Sequence, residues 1–223
     1  FTKRLYPIYE LLKNLNKNEK IKNKDLIGFV GAPWTLLVYM INLVSPKKGL
    51  SSNFYDDKKL IINLLKILDK FIKIHIKNQV NAGATIIQIF DSWAGLLSSD
   101  KYDKYIYQPT KELVNYTKSL GVEVICFPRS IKSYVEYCDV IKPNAISIDY
   151  EIDPLEIARN IDIPVQGGMD PKCLLLDRNE MLKKASKYLE IFKNHNYIFN
   201  LGHGVMPETK PENVKALVDF VKE

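Results

Sequence analysis

The chain has 223 residues, 46% of them apolar and 26% charged, with a formal net charge of +6; this suits one large core or two small ones in a globular protein. No apolar run approaches the roughly 18 residues of a membrane span, because the longest candidate, residues 60–68, is broken by Asn63 and Lys66. Lys is spread along the chain and interleaved with Glu and Asp, whereas a nucleic-acid binder gathers its basic residues on one face, so no nucleic-acid partner is expected.

In chain order, a helix is predicted over 6–15, before a first strand over 25–30 (DLIGFV). A helix over 33–43 opens on Pro33, a residue tolerated in a first turn. A long helix over 58–81 carries an apolar residue at every fourth position, Leu60, Leu64, Leu68, Ile72, Ile76 and Val80, and stops at Gly83. A strand over 85–90 follows, then a helix over 100–120 that ends at Gly121. Strand 122–127, helix 131–138, strand 145–149, helix 153–160, strand 163–166, helix 179–192, strand 197–199 and helix 211–221 complete the series. Most strands are nearly continuous apolar runs, the pattern of parallel strands buried on both faces.

Six β/α units imply a parallel α/β sheet. An open doubly wound sheet and a closed (β/α)8 barrel compete. A barrel needs eight strands and typically about 250 residues, so six strands fit a barrel without its first two units. The first strand is followed by GAPWTL, which has neither glycine-rich nucleotide fingerprint. The opening FTKRLYPIYE lacks an initiator Met and a secretory apolar region, and a processed or truncated N-terminus is expected. The whole chain is expected to be a single domain of residues 1–223.

The chemically distinctive residues follow the strands: Gly31-Ala32-Pro33-Trp34 with Tyr39 beyond, Asp91-Ser92-Trp93, Pro128-Arg129-Ser130, Asp149-Tyr150, Gly167-Gly168-Met169-Asp170 and Gly202-His203-Gly204. In a barrel all would lie on the C-terminal rim, where active sites are built. Ser92 has no GxSxG elbow, so its hydroxyl suits a hydrogen bond to a ligand carboxylate better than nucleophilic attack. Arg129 suits a carboxylate clamp. Asp91 and Asp149 could each be an acid, a cap or a partner for a base. Tyr39 reads first as a core aromatic. His75, four residues after Phe71 on the long helix, reads as a packed histidine, and His195 as a helix-end residue. His203 alone has a pocket-like context. Cys126, Cys138 and Cys173 are odd in number without CxxC spacing; reduced thiols in an intracellular compartment are expected. No metal motif is present.

Four stretches, IGFVGAPWTLLVYM (27–40), QIFDSWAGLLS (88–98), VQGGMDP (165–171) and NLGHGVMPETKPENV (200–214), resemble the uroporphyrinogen decarboxylase family, in its order and over essentially the whole chain. The resemblance implies a TIM (β/α)8-type barrel, usually a homodimer, that needs no metal or organic cofactor. It implies decarboxylation of the four acetate side chains of uroporphyrinogen to give coproporphyrinogen, in heme and other tetrapyrrole biosynthesis. It makes Tyr39 a substrate contact near the reacting acetate, Ser92 and His203 carboxylate ligands, and Phe29 and Phe90 apolar walls. The family's catalytic Asp and its Arg residues would lie upstream of Phe1, so no catalytic residue is assigned, and the 223 residues alone are expected not to turn over substrate. Gly168 stands where the family often has Asn, and FPRS (127–130) replaces a more usual Lys-Gly pair. Cytoplasmic and plastid locations both fit. Two alternatives stay open: a corrinoid- or thiol-dependent methyltransferase of the same superfamily, which would want Cys where Val205 stands, and a non-catalytic porphyrin-binding remnant.

Overall fold

Short apolar runs and amphipathic segments alternate as the sequence implies in the computed structural model, which describes residues 1–222. The chain divides into two compact units, Phe1–Asn144 and the remainder from Ala145. The first unit holds α1 (Thr2–Asn16), β1 (Ile27–Gly31), α2 (Pro33–Ile41), α3 (Lys58–Asn81), β2 (Ile86–Asp91), α4 (Gln108–Ser119), β3 (Glu123–Pro128) and α5 (Tyr134–Ile141). Its strands pair in parallel, with Phe29 opposite Gln88 and Gln88 opposite Ile125; Gly31, Phe90 and Phe127 share the next same-face row. Residues paired in register point to one face and alternate along each strand. Val30, Ile89 and Cys126 therefore share the other face, where all three are buried. Trp34 and Leu37 of α2 and Ile61 and Ile76 of α3 are fully buried, the leucine and the two isoleucines each contributing roughly 1.5–3 kcal/mol.

Helix α3 spans the range read from the sequence. The Asp57 carboxylate accepts from Leu60 N at 2.8 Å and caps its start, and Gly83 at φ 108° follows its end. Its buried line differs from the predicted stripe. Ile61 is buried and Leu60 exposed, and the line runs through Ile72, Ile76 and Gln79. A strict four-residue step drifts about 40° per repeat on a 3.6-residue helix, so it cannot hold one face over six turns.

Gln79 stands in for a neighbouring strand. Its amide accepts from Phe29 N at 3.0 Å and donates to Phe29 O at 3.0 Å. This satisfies both backbone groups of one β1 residue.

Two further boundaries moved for stereochemical reasons. The helix read over 100–120 is a 3-10 turn (Ser99–Lys101), a π turn (Asp103–Tyr107) and then α4. Pro109 has no N–H to donate to the carbonyl four residues back, so the ladder changes pitch there. Helix α5 begins at Tyr134 rather than 131, because the Ser133 hydroxyl accepts from Glu136 N at 3.1 Å; Ser133 followed by Glu136 is a capping-box pattern.

The second unit holds β4 (Ala145–Ile148), α6 (Pro154–Asn160), β5 (Val165–Gly167), α7 (Arg178–Ile191), β6 (Tyr197–Ile198) and α8 (Pro211–Lys222). Parallel pairing sets Ile148 opposite Gly167 and Val165 opposite Tyr197. Met169, Leu174, Met181, Ala185 and Leu217 form its buried cluster. Asp153 and Asp177 cap α6 and α7 through their carboxylates. Among the described residues no helix is long and apolar enough to cross a membrane.

Candidate active site

In the first unit the loops leaving the three parallel strands are tied together at the strands' C-terminal ends. Ala32 N donates to Phe90 O at 2.8 Å, Arg129 N to Asp91 O at 3.1 Å, and Gly95 N to Arg129 O at 3.1 Å. The helix side is held by side chains. Asp91 ends β2 and is fully buried, and its Oδ1 accepts from Thr35 Oγ1 at 2.6 Å. Thr35 Oγ1 in turn accepts from Trp93 N at 3.2 Å, and the buried Trp34 donates from Nε1 to Trp93 O at 2.8 Å. Burial pushes the Asp91 carboxyl up to about 7, against the opposing pull of the Thr35 bond, and its Oδ2 has no hydrogen-bond partner. The sequence left Asp91 as acid, cap or partner; the structure makes it a buried anchor for α2.

The other face of the sheet carries an aromatic row. Phe29 meets Phe90 edge to face at 5.9 Å, and Phe90 meets Phe127 the same way at 5.9 Å. Exposure falls along the row, from 62% at Phe29 to 6% at Phe127. Tyr39 is not a core aromatic: it is 60% exposed, one edge-to-face contact of 6.1 Å from Trp93. Ser92, half-buried, precedes that tryptophan in the chain. The structure thus joins Phe29 to Phe90, and Tyr39 to the turn that carries Ser92. Thr35 and Gln79 escaped the sequence reading. A Gln in line with Ile72 and Ile76 was the only available signal for Gln79, and nothing local marks Thr35.

In the second unit His203 follows β6 and is exposed. Its flanking glycines differ. Gly202 N donates to Met169 O at 2.8 Å, and a Cβ there would lie 2.4 Å from Tyr150 N and 2.8 Å from Asp149 C. Gly202 is therefore required by a close backbone approach. A Cβ on Gly204 would meet nothing within 4 Å. Asp149 is buried and its Oδ1 accepts from Glu151 N at 2.8 Å, which fixes the turn after β4.

The remaining candidates resolve simply. His75 is half-buried with Nδ1 2.9 Å from the Tyr9 hydroxyl, and burial lowers its pKa below the ordinary 6.5. Burial pushes the Cys126 and Cys138 thiols up to about 12, so both stay protonated at neutral pH and are poor thiolate ligands. Among the described residues no three His, Cys, Asp or Glu side chains are grouped to hold a metal ion.

The family model for uroporphyrinogen decarboxylase (URO-D) matches residues 1–223. The chain belongs to the uroporphyrinogen decarboxylase family. A uroporphyrinogen decarboxylase from Rickettsia bellii is 37% identical over 99% of this chain and 66% of its own length. One from a Wolbachia of Drosophila simulans is 38% identical over 97% and 64%, and one from Campylobacter jejuni 36% identical over 99% and 66%. The chain thus spans about two-thirds of the length of these family members. Two solved structures share the fold. A methyltransferase from Methanosarcina mazei matches at TM-score 0.79 and 20% identity, over 98% of this chain and 64% of that one. A B12-independent methionine synthase from Shewanella matches at TM-score 0.65 and 14% identity, over 96% and 64%. The family and these likenesses place the chain in the α/β, (β/α)8-barrel fold class, with six β/α units.

Proposed function

We propose that the protein takes part in decarboxylating the acetate side chains of uroporphyrinogen to methyls, giving coproporphyrinogen. The family match over the whole chain carries this reading. In each cycle the pyrrole beside an acetate is protonated, and the C–C bond to the carboxylate breaks. Its electron pair flows into the cationic ring as carbon dioxide leaves. A proton delivered to the exocyclic carbon completes the methyl, and the ring gives up the proton it first took, so each cycle consumes one proton and releases one carbon dioxide. Oxidation state is unchanged, so the reaction calls for charge stabilisation and proton delivery rather than a redox or organic cofactor.

The substrate combines an apolar macrocycle with many carboxylates, and the residue types fit that mixture. Phe29 and Phe90 supply apolar wall, and the exposure of Phe29 leaves it available to a ligand. Tyr39, exposed beside Trp93, is assigned to the reacting acetate. Ser92 and His203 are assigned to side-chain carboxylates through charge-assisted hydrogen bonds. Asp91 and Asp149 are buried and engaged in local bonds, so neither is assigned to the cationic intermediate. Association as a homodimer belongs to the same reading.

The test is to incubate the full gene product carrying this chain with uroporphyrinogen, then separate the oxidised porphyrins by carboxylate number. Stepwise loss from eight carboxylates to four is the expected result, with Tyr39→Phe and Ser92→Ala each slowing it roughly 10- to 100-fold. Unchanged carboxylate number under conditions where the protein is folded overturns the proposal.

A further inference from the structure

The Thr35 hydroxyl has one proton and two lone pairs. The proton goes to Asp91 Oδ1, which leaves a lone pair to accept from Trp93 N. Thr35 is 3% exposed, so no water competes for either bond. Four residues on, and so one turn along the same face of α2, comes Tyr39. The ring of Trp93 touches Tyr39, while its carbonyl accepts from the Trp34 indole. Trp93 is thereby fixed to α2 at three points: backbone N at Thr35, backbone O at Trp34 and ring at Tyr39. Ser92 lies between the Asp91 anchor and this fixed residue, so its backbone is held at both ends.

We propose that Thr35 is a positioning residue, clasping the Asp91–Trp93 turn onto α2 so that Tyr39 and Ser92 keep one fixed geometry toward a carboxylate-bearing ligand. The clasp itself stands on the hydrogen bonds; its effect on turnover rests on the decarboxylase reading above. Without the hydroxyl, Trp93 N and Asp91 Oδ1 both lose a partner in a buried place. The turn is then free to shift against the helix, and displacements near 1 Å in positioning groups cost on the order of 100-fold in rate.

The experiment uses Thr35→Val, nearly isosteric and without the hydroxyl, and Thr35→Ser, which restores it. Two readouts are taken on the full gene product: kcat/KM for uroporphyrinogen, and the indole N–H resonance of Trp93, assigned by Trp93→Phe. For Thr35→Val we expect kcat/KM to fall about 30-fold and the Trp93 resonance to move, with circular dichroism unchanged. Thr35→Ser returns both to near wild type, which a purely structural defect would not require. Thr35→Ala gives the same two readouts should the valine variant fail to fold. A Trp93 resonance that stays in place overturns the clasp, and so does kcat/KM within about threefold of wild type. Absence of turnover by the wild type, with the resonance still moving in Thr35→Val, instead overturns the decarboxylase reading and leaves the clasp standing.

Discussion

Replacing Asp91 by Asn should make the first unit more stable at neutral pH than the natural residue does. On folding, the carboxyl goes from the ordinary 3.8 to about 7. Below pH 3.8 it is protonated in both states and costs nothing. As the pH rises the unfolded chain releases the proton while the folded chain holds it, so stability falls until about pH 7 and then levels off. At about 1.4 kcal/mol per pH unit, the loss across that window is about 4 kcal/mol. Asn is nearly isosteric with the protonated acid and keeps an oxygen for Thr35, but it does not titrate. The neighbouring Cys126 thiol and Tyr137 phenol are both pushed up by burial and stay neutral throughout. The assay is urea unfolding at pH 4.5, 6, 7.5 and 8.5, followed by tryptophan fluorescence. Both tryptophans, Trp34 and Trp93, lie in the first unit and beside Thr35. The variant should gain on wild type by about 1.4 kcal/mol per pH unit up to pH 7, about 4 kcal/mol in all; burying the Asn amide hydrogens where Oδ2 has no partner offsets roughly 1–3 kcal/mol of that at every pH, which leaves the variant ahead above pH 7. A difference that is flat from pH 4.5 to 8.5, or a variant less stable than wild type at pH 8.5, refutes the reasoning.

The two glycines around His203 should respond differently to alanine. Gly202→Ala drives a methyl into the backbone at Tyr150 and should cost about 1–3 kcal/mol or more, whereas Gly204→Ala should stay within about 0.5 kcal/mol of wild type; thermal unfolding of both checks this, and equal losses would remove the distinction. His75 should make the docking of α1 acid-sensitive. Its folded pKa is lowered by burial, so its contribution is complete above pH 6.5 and is lost as the pH falls below it, when a charged ring has to be held in a half-buried place. Hydrogen exchange in α1 should speed up from pH 7 to 5 relative to the intrinsic rate, and His75→Gln should abolish that pH dependence.

The sequence was most informative where the controlling interactions are short-range. Helix α3 could be bounded to the residue because Asp57 caps it and Gly83 ends it within a turn of its limits. The alternation of apolar strands with amphipathic helices implied parallel pairing, and four motifs in order were enough to suggest the family. Both the π turn before α4 and the later start of α5 were also encoded locally, by Pro109 and by Ser133 with Glu136. The wrong step in the α3 stripe was a matter of phase, since six apolar residues at every fourth position wind off any single face.

Other features depend on residues far apart in the chain. Thr35 and Asp91 are 56 positions apart and Gln79 and Phe29 are 50 apart; no pattern around either threonine or glutamine announces its partner. Tyr39 reads like any apolar-helix aromatic, and its exposure follows from which face of α2 meets the sheet. Gly202 and Gly204 look equivalent beside His203, yet only one of them lies against another loop's backbone. The sequence by itself determined the elements, their parallel order and the residues gathered at the strand ends, because periodicity, caps and glycine stops act within a few residues. Only the tertiary structure decided which of those residues anchor the loops and which stay exposed, because close backbone approach and buried hydrogen bonds exist only once distant segments have packed.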